Sequence, residues 1–228
     1  MTASVIRDAA SVILVRDAET RPRVLMGQRG AAAVFMPDKF VFPGGAVDRE
    51  DAEVPLARPL GGLCAARLVE DAGRLQAGTL AAAAIRELWE EAGLILGVPG
   101  IWPGRPTPGW ESFAATGHLP SPRGLTFVFR AITPPGRPRR FDARFFLVDA
   151  AHLAGDPDDF SPASDELGAL QWIPLDEVRR FDLPFITEVV LAEVAQRLPD
   201  FTPPETVPFF RNDDEESLFL RLGGRAFG

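Results

Sequence analysis

Residues 81–94, AAAAIRELWEEAGL, decide how this chain folds and what it is for. Ile85, Leu88, Trp89 and Ala92 recur at i, i+3, i+4 and i+7, the spacing that lines one face of an α-helix. Glu87, Glu90 and Glu91 recur at i, i+3 and i+4 and share the opposite face. Thr79 is the expected N-cap of this helix and Gly93 its expected stop. Like charges at this spacing destabilise a helix by about a few tenths of a kcal/mol per pair. A helix that keeps three such carboxylates is expected to bring positive charge to them. Mg²⁺ or Mn²⁺, hard cations with a preference for oxygen ligands, match that donor set.

Outward from this helix, short apolar runs alternate with turn residues. Residues 11–16 and 24–28 read as a hairpin-like pair of strands, and 40–42 as a third strand stopped by Pro43-Gly44-Gly45. Paired glycines admit backbone conformations closed to other residues and let the chain run close to a ligand or another element. Residues 48–78 are rich in Ala, Gly, Pro and charge; a short helix over 63–72 is expected inside what otherwise reads as a surface excursion. A Pro/Gly-rich connection after 96 leads to a short helix over 110–116 and to strands over 125–132 and 139–148, joined at Pro134-Pro135-Gly136. An acidic loop over 156–166, a strand over 170–173 and a helix over 185–198, with Pro184 in its first turn, follow. In the tail, two extended pieces flank the acidic turn NDDEE at 212–216. Strands broken by two substantial helices predict an α/β protein whose mixed sheet carries helices on both faces.

Composition excludes several function classes. The net charge of −8 argues against a broad nucleic-acid surface, whose footprint is basic. It leaves room for a small phosphate ligand held through a cation. Lys39 is the only lysine, so a cationic phosphate clamp has to be arginine. The single cysteine, Cys64, makes no internal disulfide and no thiolate metal site, and His118 and His152 alone make no zinc cluster. No apolar run approaches the roughly eighteen residues of a membrane span. The N-terminal residues 1–17 lack the pattern of a secretory leader, so a cytoplasmic protein with no membrane partner is expected.

Gly45, Asp51 and the run Arg86-Glu87-Leu88-Trp89-Glu90-Glu91-Ala92-Gly93-Leu94 together resemble the signature of the Nudix hydrolase family. That signature is Gly, five residues, Glu, seven residues, then Arg-Glu-aliphatic-any-Glu-Glu-any-Gly-aliphatic. The second half is matched at every specified position, and the Pro-Gly-Gly entry is typical too. The first half departs twice. Asp51 stands where the family has Glu, and 34 residues (52–85) separate it from Arg86 where seven are usual, an insertion of 27 inside the loop of the motif. The chain thereby resembles the branch with an interrupted box that includes the peroxisomal coenzyme A diphosphatases. Phe35-Met36-Pro37 before Val41-Phe42-Pro43-Gly44-Gly45, and the run from Pro138 to Phe146, echo the same branch.

The resemblance implies a Nudix-like α/β/α sandwich with a mixed central sheet. It implies one domain over 1–228, with a helix-containing insertion at about 52–79 and a C-terminal extension from about 200. It implies metal-dependent hydrolysis of the diphosphate bond of a nucleoside diphosphate linked to another moiety, with coenzyme A or an acyl derivative as candidates. Glu87, Glu90 and Glu91 would carry Mg²⁺ or Mn²⁺, joined by Glu166 or Asp165 from the loop before the Trp172 strand. Glu87, Glu91 and Arg86 are the expected catalytic set, with Glu91 and Glu87 indispensable, Glu90 next, and Arg86 holding a glutamate and the loop. Gly44 and Gly45 are expected at the substrate, with Arg29, Arg144 and Trp110 as further candidates. Asp51 either helps the site or is a plain loop acid. The expected partner is a nucleoside-diphosphate-linked small molecule, and a homodimer is a candidate assembly. The alternative from another class is a catalytically silent nucleotide-binding module; intact Glu87, Glu90 and Glu91 favour the enzyme.

Overall fold

The computed structural model describes residues 5–31, 36–70, 72–73, 75–212 and 217–223. Its spine is β1 (Ile6–Arg16), whose residues Val12 to Val15 have no exposed surface. A strand apolar on both sides belongs in the middle of a sheet covered on both faces. β2 (Arg23–Arg29), β3 (Phe40–Val41) and β4 (Gly44–Ala46) follow it, then α1 (Gly62–Leu68) and α2 (Ala77–Ala92). Next come β5 (Gly97–Pro99), α3 (Glu111–Ala114), β6 (His118–Pro120), β7 (Thr126–Ile132) and β8 (Arg140–Asp149). β9 (Leu167–Pro174), α4 (Phe185–Arg197), β10 (Val207–Asn212) and β11 (Ser217–Leu222) complete the order.

Among the described residues one nine-stranded sheet runs β11-β10-β7-β8-β1-β2-β3, with β4 also paired to β1 and β9 to β2. β1 runs parallel to β8 and β10 parallel to β7, whereas β1–β2, β2–β9 and β7–β8 are antiparallel. The sheet is therefore mixed. Alternation along β1 divides the core: Ala10, Val12 and Leu14 face α1 and α2, and Ile13 and Val15 face α4. The result is the α/β/α sandwich with a mixed central sheet that the sequence leads one to expect.

The structure corrects several local expectations. α2 begins at Ala77, so Gln76 takes the N-cap position and Thr79 is a buried helical residue. Gly93 does end the helix, in the left-handed conformation (φ 70°), with its N–H donating to Trp89 O. On the glutamate face Glu87 and Glu91 are buried and Glu90 is half-buried, as its expected role in holding charge requires. The insertion is not a surface excursion. Leu60, Cys64 and Leu68 enter the core on the α2 face, and the Cys64 Sγ accepts the Phe127 N–H at 3.5 Å. Arg67 of α1 donates to the backbone carbonyls of Pro204 and Glu205, which fastens the insertion to the chain leading into β10. The tail strands join the main sheet beside β7, and the Pro/Gly-rich connection yields the small β5–β6 pair. Residues 213–216 of the acidic turn and Phe35 lie outside the described residues. Among the described residues no helix is long and apolar enough to cross a membrane.

Candidate active site

The site forms where β4 lies against the C-terminal half of α2, and it depends on two missing side chains. A Cβ on Gly45 would stand 2.5 Å from the carboxyl atoms of Glu87. A Cβ on Gly44 would strike Ser11 and the Ala10 carbonyl of β1 at 2.4–2.6 Å. With both bare, the strand sits between β1 and the helix, and the Gly44 N–H donates to Glu91 Oε2 at 2.6 Å. Within the chain, what Gly44 and Gly45 approach is the glutamates, Gly44 through its N–H to Glu91 and Gly45 against Glu87.

Arg86 organises the rest. Its Nε and Nη2 grip Asp51 Oδ1 and Oδ2 at 3.0 and 3.1 Å, Nη1 reaches Glu87 Oε1 at 2.9 Å and Glu90 Oε2 at 3.1 Å, and Nη2 also donates to Ala46 O at 2.9 Å. A planar fork of donors suits such simultaneous binding where an ammonium would not. Burial works against the Arg86 charge, but the Asp51 hydrogen bonds and the charges of Glu87, Asp51 and Glu90 outweigh it and raise its pKa. Asp51, only 2% exposed, lies in a 3-10 turn (Arg49–Glu53) and also accepts the Asp48 N–H at 2.9 Å and the Trp110 Nε1–H at 3.3 Å. It is therefore no plain loop acid. It locks the start of the insertion to α2.

The carboxylates are held uncomfortably close. Burial, with help from Glu90 and Glu166, pushes Glu87 up to about 7 against the pull of Arg86. Burial and the charge of Glu87 raise Glu91 well above the carboxylate range, opposed only in part by the Gly44 N–H. Glu90 is raised too, mainly by burial. Glu91 Oε1 is buried and makes no hydrogen bond; the nearest cation is Arg29, whose Nη2 lies 3.8 Å away.

Arg29 also donates to Glu166 Oε1 at 3.2 Å, so the early strand β2 and the acidic loop meet beside Glu91. That loop is pinned to the helix end. The Ser164 N–H donates to Glu90 O at 2.7 Å, and a side chain on Gly93 would collide with Pro162 and Ala163 at 2.8–2.9 Å. Glu166 is the acid whose charge reaches Glu87 and Glu91; among the described residues no hydrogen bond or ion pair ties Asp165 to the cluster.

Two candidates turn out otherwise. Arg144 has no exposed surface: Nη1 donates to the Asp8 carboxylate and the Asp142 carbonyl, and Nη2 lies 3.3 Å from the Asp142 carboxylate, away from the glutamate cluster. Trp110 and Phe113 are likewise fully buried, their ring centroids 5.3 Å apart, and of the two only Trp110 borders the recess beside Glu90. A recess of about 220 Å³ opens beside Glu90, between Asp48, Glu50 and Asp51 on one side and the Pro108-Gly109 turn on the other. A larger recess, about 440 Å³, lies at the start of α2 beside Arg7 and Arg49 and touches none of the three glutamates.

The donors fit a hard divalent cation: all are carboxylate oxygens, and one of them is a buried acceptor without a hydrogen bond. Among the described residues no three acidic, histidine or cysteine side chains already form a closed cage. Glu87 and Glu90 turn instead toward Arg86.

No family model matches the chain. A curated Caenorhabditis elegans protein named "Putative nudix hydrolase 7" is 33% identical over 178 residues, covering 73% of this chain and 51% of that protein. The chain thus spans about half the length of that relative. Among solved structures, a Nudix hydrolase from Alicyclobacillus acidocaldarius shares 28% identity with a TM-score of 0.59, covering 83% of this chain and 90% of its own.

Proposed function

We propose, from the membership of the Nudix hydrolase family that both likenesses support, that this chain is a divalent-metal-dependent pyrophosphohydrolase. Its substrate is a nucleoside diphosphate linked to a second moiety. The observation that carries this reading is the buried Glu91 carboxylate, fixed at one oxygen by the Gly44 N–H and left without a hydrogen bond at the other, next to Glu87. Such a group is costly to bury unless a cation completes it.

Glu87, Glu90 and Glu91 would hold Mg²⁺ or Mn²⁺, with Glu166 as a further carboxylate. When bound, the cation polarises phosphoryl oxygens and lowers the pKa of water. Arg29 stands beside these acids and is suited to a phosphate oxygen. Glu166, with its side chain 60% exposed, is our candidate for the base that takes the proton of an attacking water. Phosphoryl transfer of this kind depends on positioning and charge neutralisation rather than on a covalent enzyme intermediate.

Within the class, the interrupted box points to coenzyme A or an acyl derivative. The test is a comparison of kcat/KM for coenzyme A, nucleotide sugars and dinucleoside polyphosphates with Mg²⁺ and with Mn²⁺. A clear preference for coenzyme A compounds supports the narrower assignment, and a preference for another diphosphate replaces it.

A further inference from the structure

We infer that Trp110 is a positioning residue for the glutamate cluster, acting through Asp51 and Arg86. Its indole N–H fixes the carboxylate that fixes the guanidinium that holds Glu87 and Glu90. The inference rests on the proposed function only in taking those glutamates as metal ligands.

The geometry points this way because Asp51 is almost wholly buried and its two oxygens are fully used. Oδ1 accepts from Arg86 Nε and Trp110 Nε1, and Oδ2 accepts from Arg86 Nη2 and the Asp48 N–H. An aspartate is one methylene shorter than the glutamate of the family signature, so its carboxylate has less reach toward the helix. Trp110 approaches that carboxylate from the segment between β5 and β6, 59 residues along the chain, and completes its hydrogen bonding. The indole is itself immobilised. Its ring lies 5.9 Å from Trp102 and 5.3 Å from Phe113, and Phe113 packs edge-on to Trp89 of α2 at 6.0 Å. A second indole tie joins the same segment to the helix, with Trp89 Nε1 donating to Ser112 Oγ at 2.9 Å. Loop, turn and helix are therefore registered to one another around Asp51. Trp110 has no exposed surface, and its one polar atom is committed to Asp51. Its effect has to pass through the acid.

A buried tryptophan also seeks an acceptor for its N–H simply to be satisfied. A double-mutant cycle separates that packing role from positioning. Wild type, Trp110→Phe, Asp51→Asn and the double variant are titrated with Mn²⁺ in the absence of substrate, free Mn²⁺ being read by electron paramagnetic resonance. Melting curves report the fold. Trp110→Phe is expected to weaken Mn²⁺ binding by about threefold to tenfold, the scale of a charge-assisted hydrogen bond felt at one remove. Asp51→Asn is expected to weaken it more, and the double variant no further than Asp51→Asn alone. Additive losses overturn the inference, as does a Trp110→Phe chain that melts earlier yet binds Mn²⁺ like wild type. Should Asp51→Asn not fold, benzothienylalanine at 110, which keeps the ring shape without the N–H, decides alone. Weakened Mn²⁺ binding upholds positioning and unchanged binding overturns it. A wild-type chain that binds no Mn²⁺ overturns the metal reading and this inference with it, whereas a wild type that binds beside an equally tight Trp110→Phe overturns the inference only.

Discussion

At the scale of single residues, Glu91 concentrates the argument. It is 1% exposed, raised well above the carboxylate range and bonded at one oxygen only. Glu91→Gln preserves an acceptor for the Gly44 N–H and removes a charge that burial opposes. The variant should keep its fold and melt no earlier than wild type without metal. Its metal-dependent turnover should fall by about a hundredfold or more, the scale set by losing one electrostatic partner of a transition state. Near-normal turnover in a steady-state assay would sink the metal assignment. Glu87 and Glu91 also set a pH dependence. Both are acids whose folded pKa lies above the unfolded value of roughly 4.3, Glu87 at about 7. Their contribution to stability is complete below the unfolded pKa and is lost as pH rises through the folded one. In chelator, the melting temperature should therefore fall as pH rises from roughly 4.3 to about 7, where folded Glu87 itself ionises, and saturating Mg²⁺ should reduce that fall by binding the ionised form. Melting curves that are flat with pH in chelator contradict it. The three glutamates were legible because helical spacing makes them neighbours. The partnerships of Arg29 with Glu166 and of Trp110 with Asp51 were not, since they span 137 and 59 residues. Arg144 shows the limit of strand alternation: it names two faces, and here both are covered.

Elements position these residues by close approach. β4 lies under α2 only because Gly45 lacks a Cβ, and Gly45→Ala should displace the Glu87 carboxylate while leaving the helix formed. Turnover lower by about tenfold or more, with an unchanged circular dichroism spectrum, is the expected result; wild-type turnover would show that the strand yields at no cost. The Pro-Gly-Gly turn was readable as a place of close approach, though not what approaches it. Likewise α2 was readable as an amphipathic helix with a glycine stop. The sequence does not show that the start of the insertion closes on its polar face, where Asp51 binds Arg86, or that the β5–β6 segment reaches it through Trp110. Apolar residues in that insertion were too sparse for a periodic signal, yet Leu60, Cys64 and Leu68 are core. Leu68→Ala should accordingly cost about 2–5 kcal/mol, measured by urea unfolding. A loss below roughly 0.5 kcal/mol would return the insertion to the surface.

Across the whole molecule, the sheet was foreseeable in kind from strands alternating with helices. The place of the tail in it was not. β10 meets β7 through the parallel register Phe209↔Arg130 and Phe210↔Ala131, and only the folded chain brings those residues together. Arg67 ties the insertion to the carbonyls of Pro204 and Glu205, so insertion, tail and α2 enclose one core. Around that core the site gathers acids from the 3-10 turn, from α2 and from the acidic loop, with Arg86 and Arg29 between them. Such an assembly is suited to holding a cation against a diphosphate. The measurement that bears on it most directly is hydrolysis of a panel of nucleoside-diphosphate-linked compounds with Mn²⁺ or Mg²⁺ and with chelator, scored by the phosphate-bearing products released. The proposed site predicts cleavage of at least one compound at its diphosphate bond, abolished by chelator; no turnover of any compound with either metal would contradict it and favour a nucleotide-binding module.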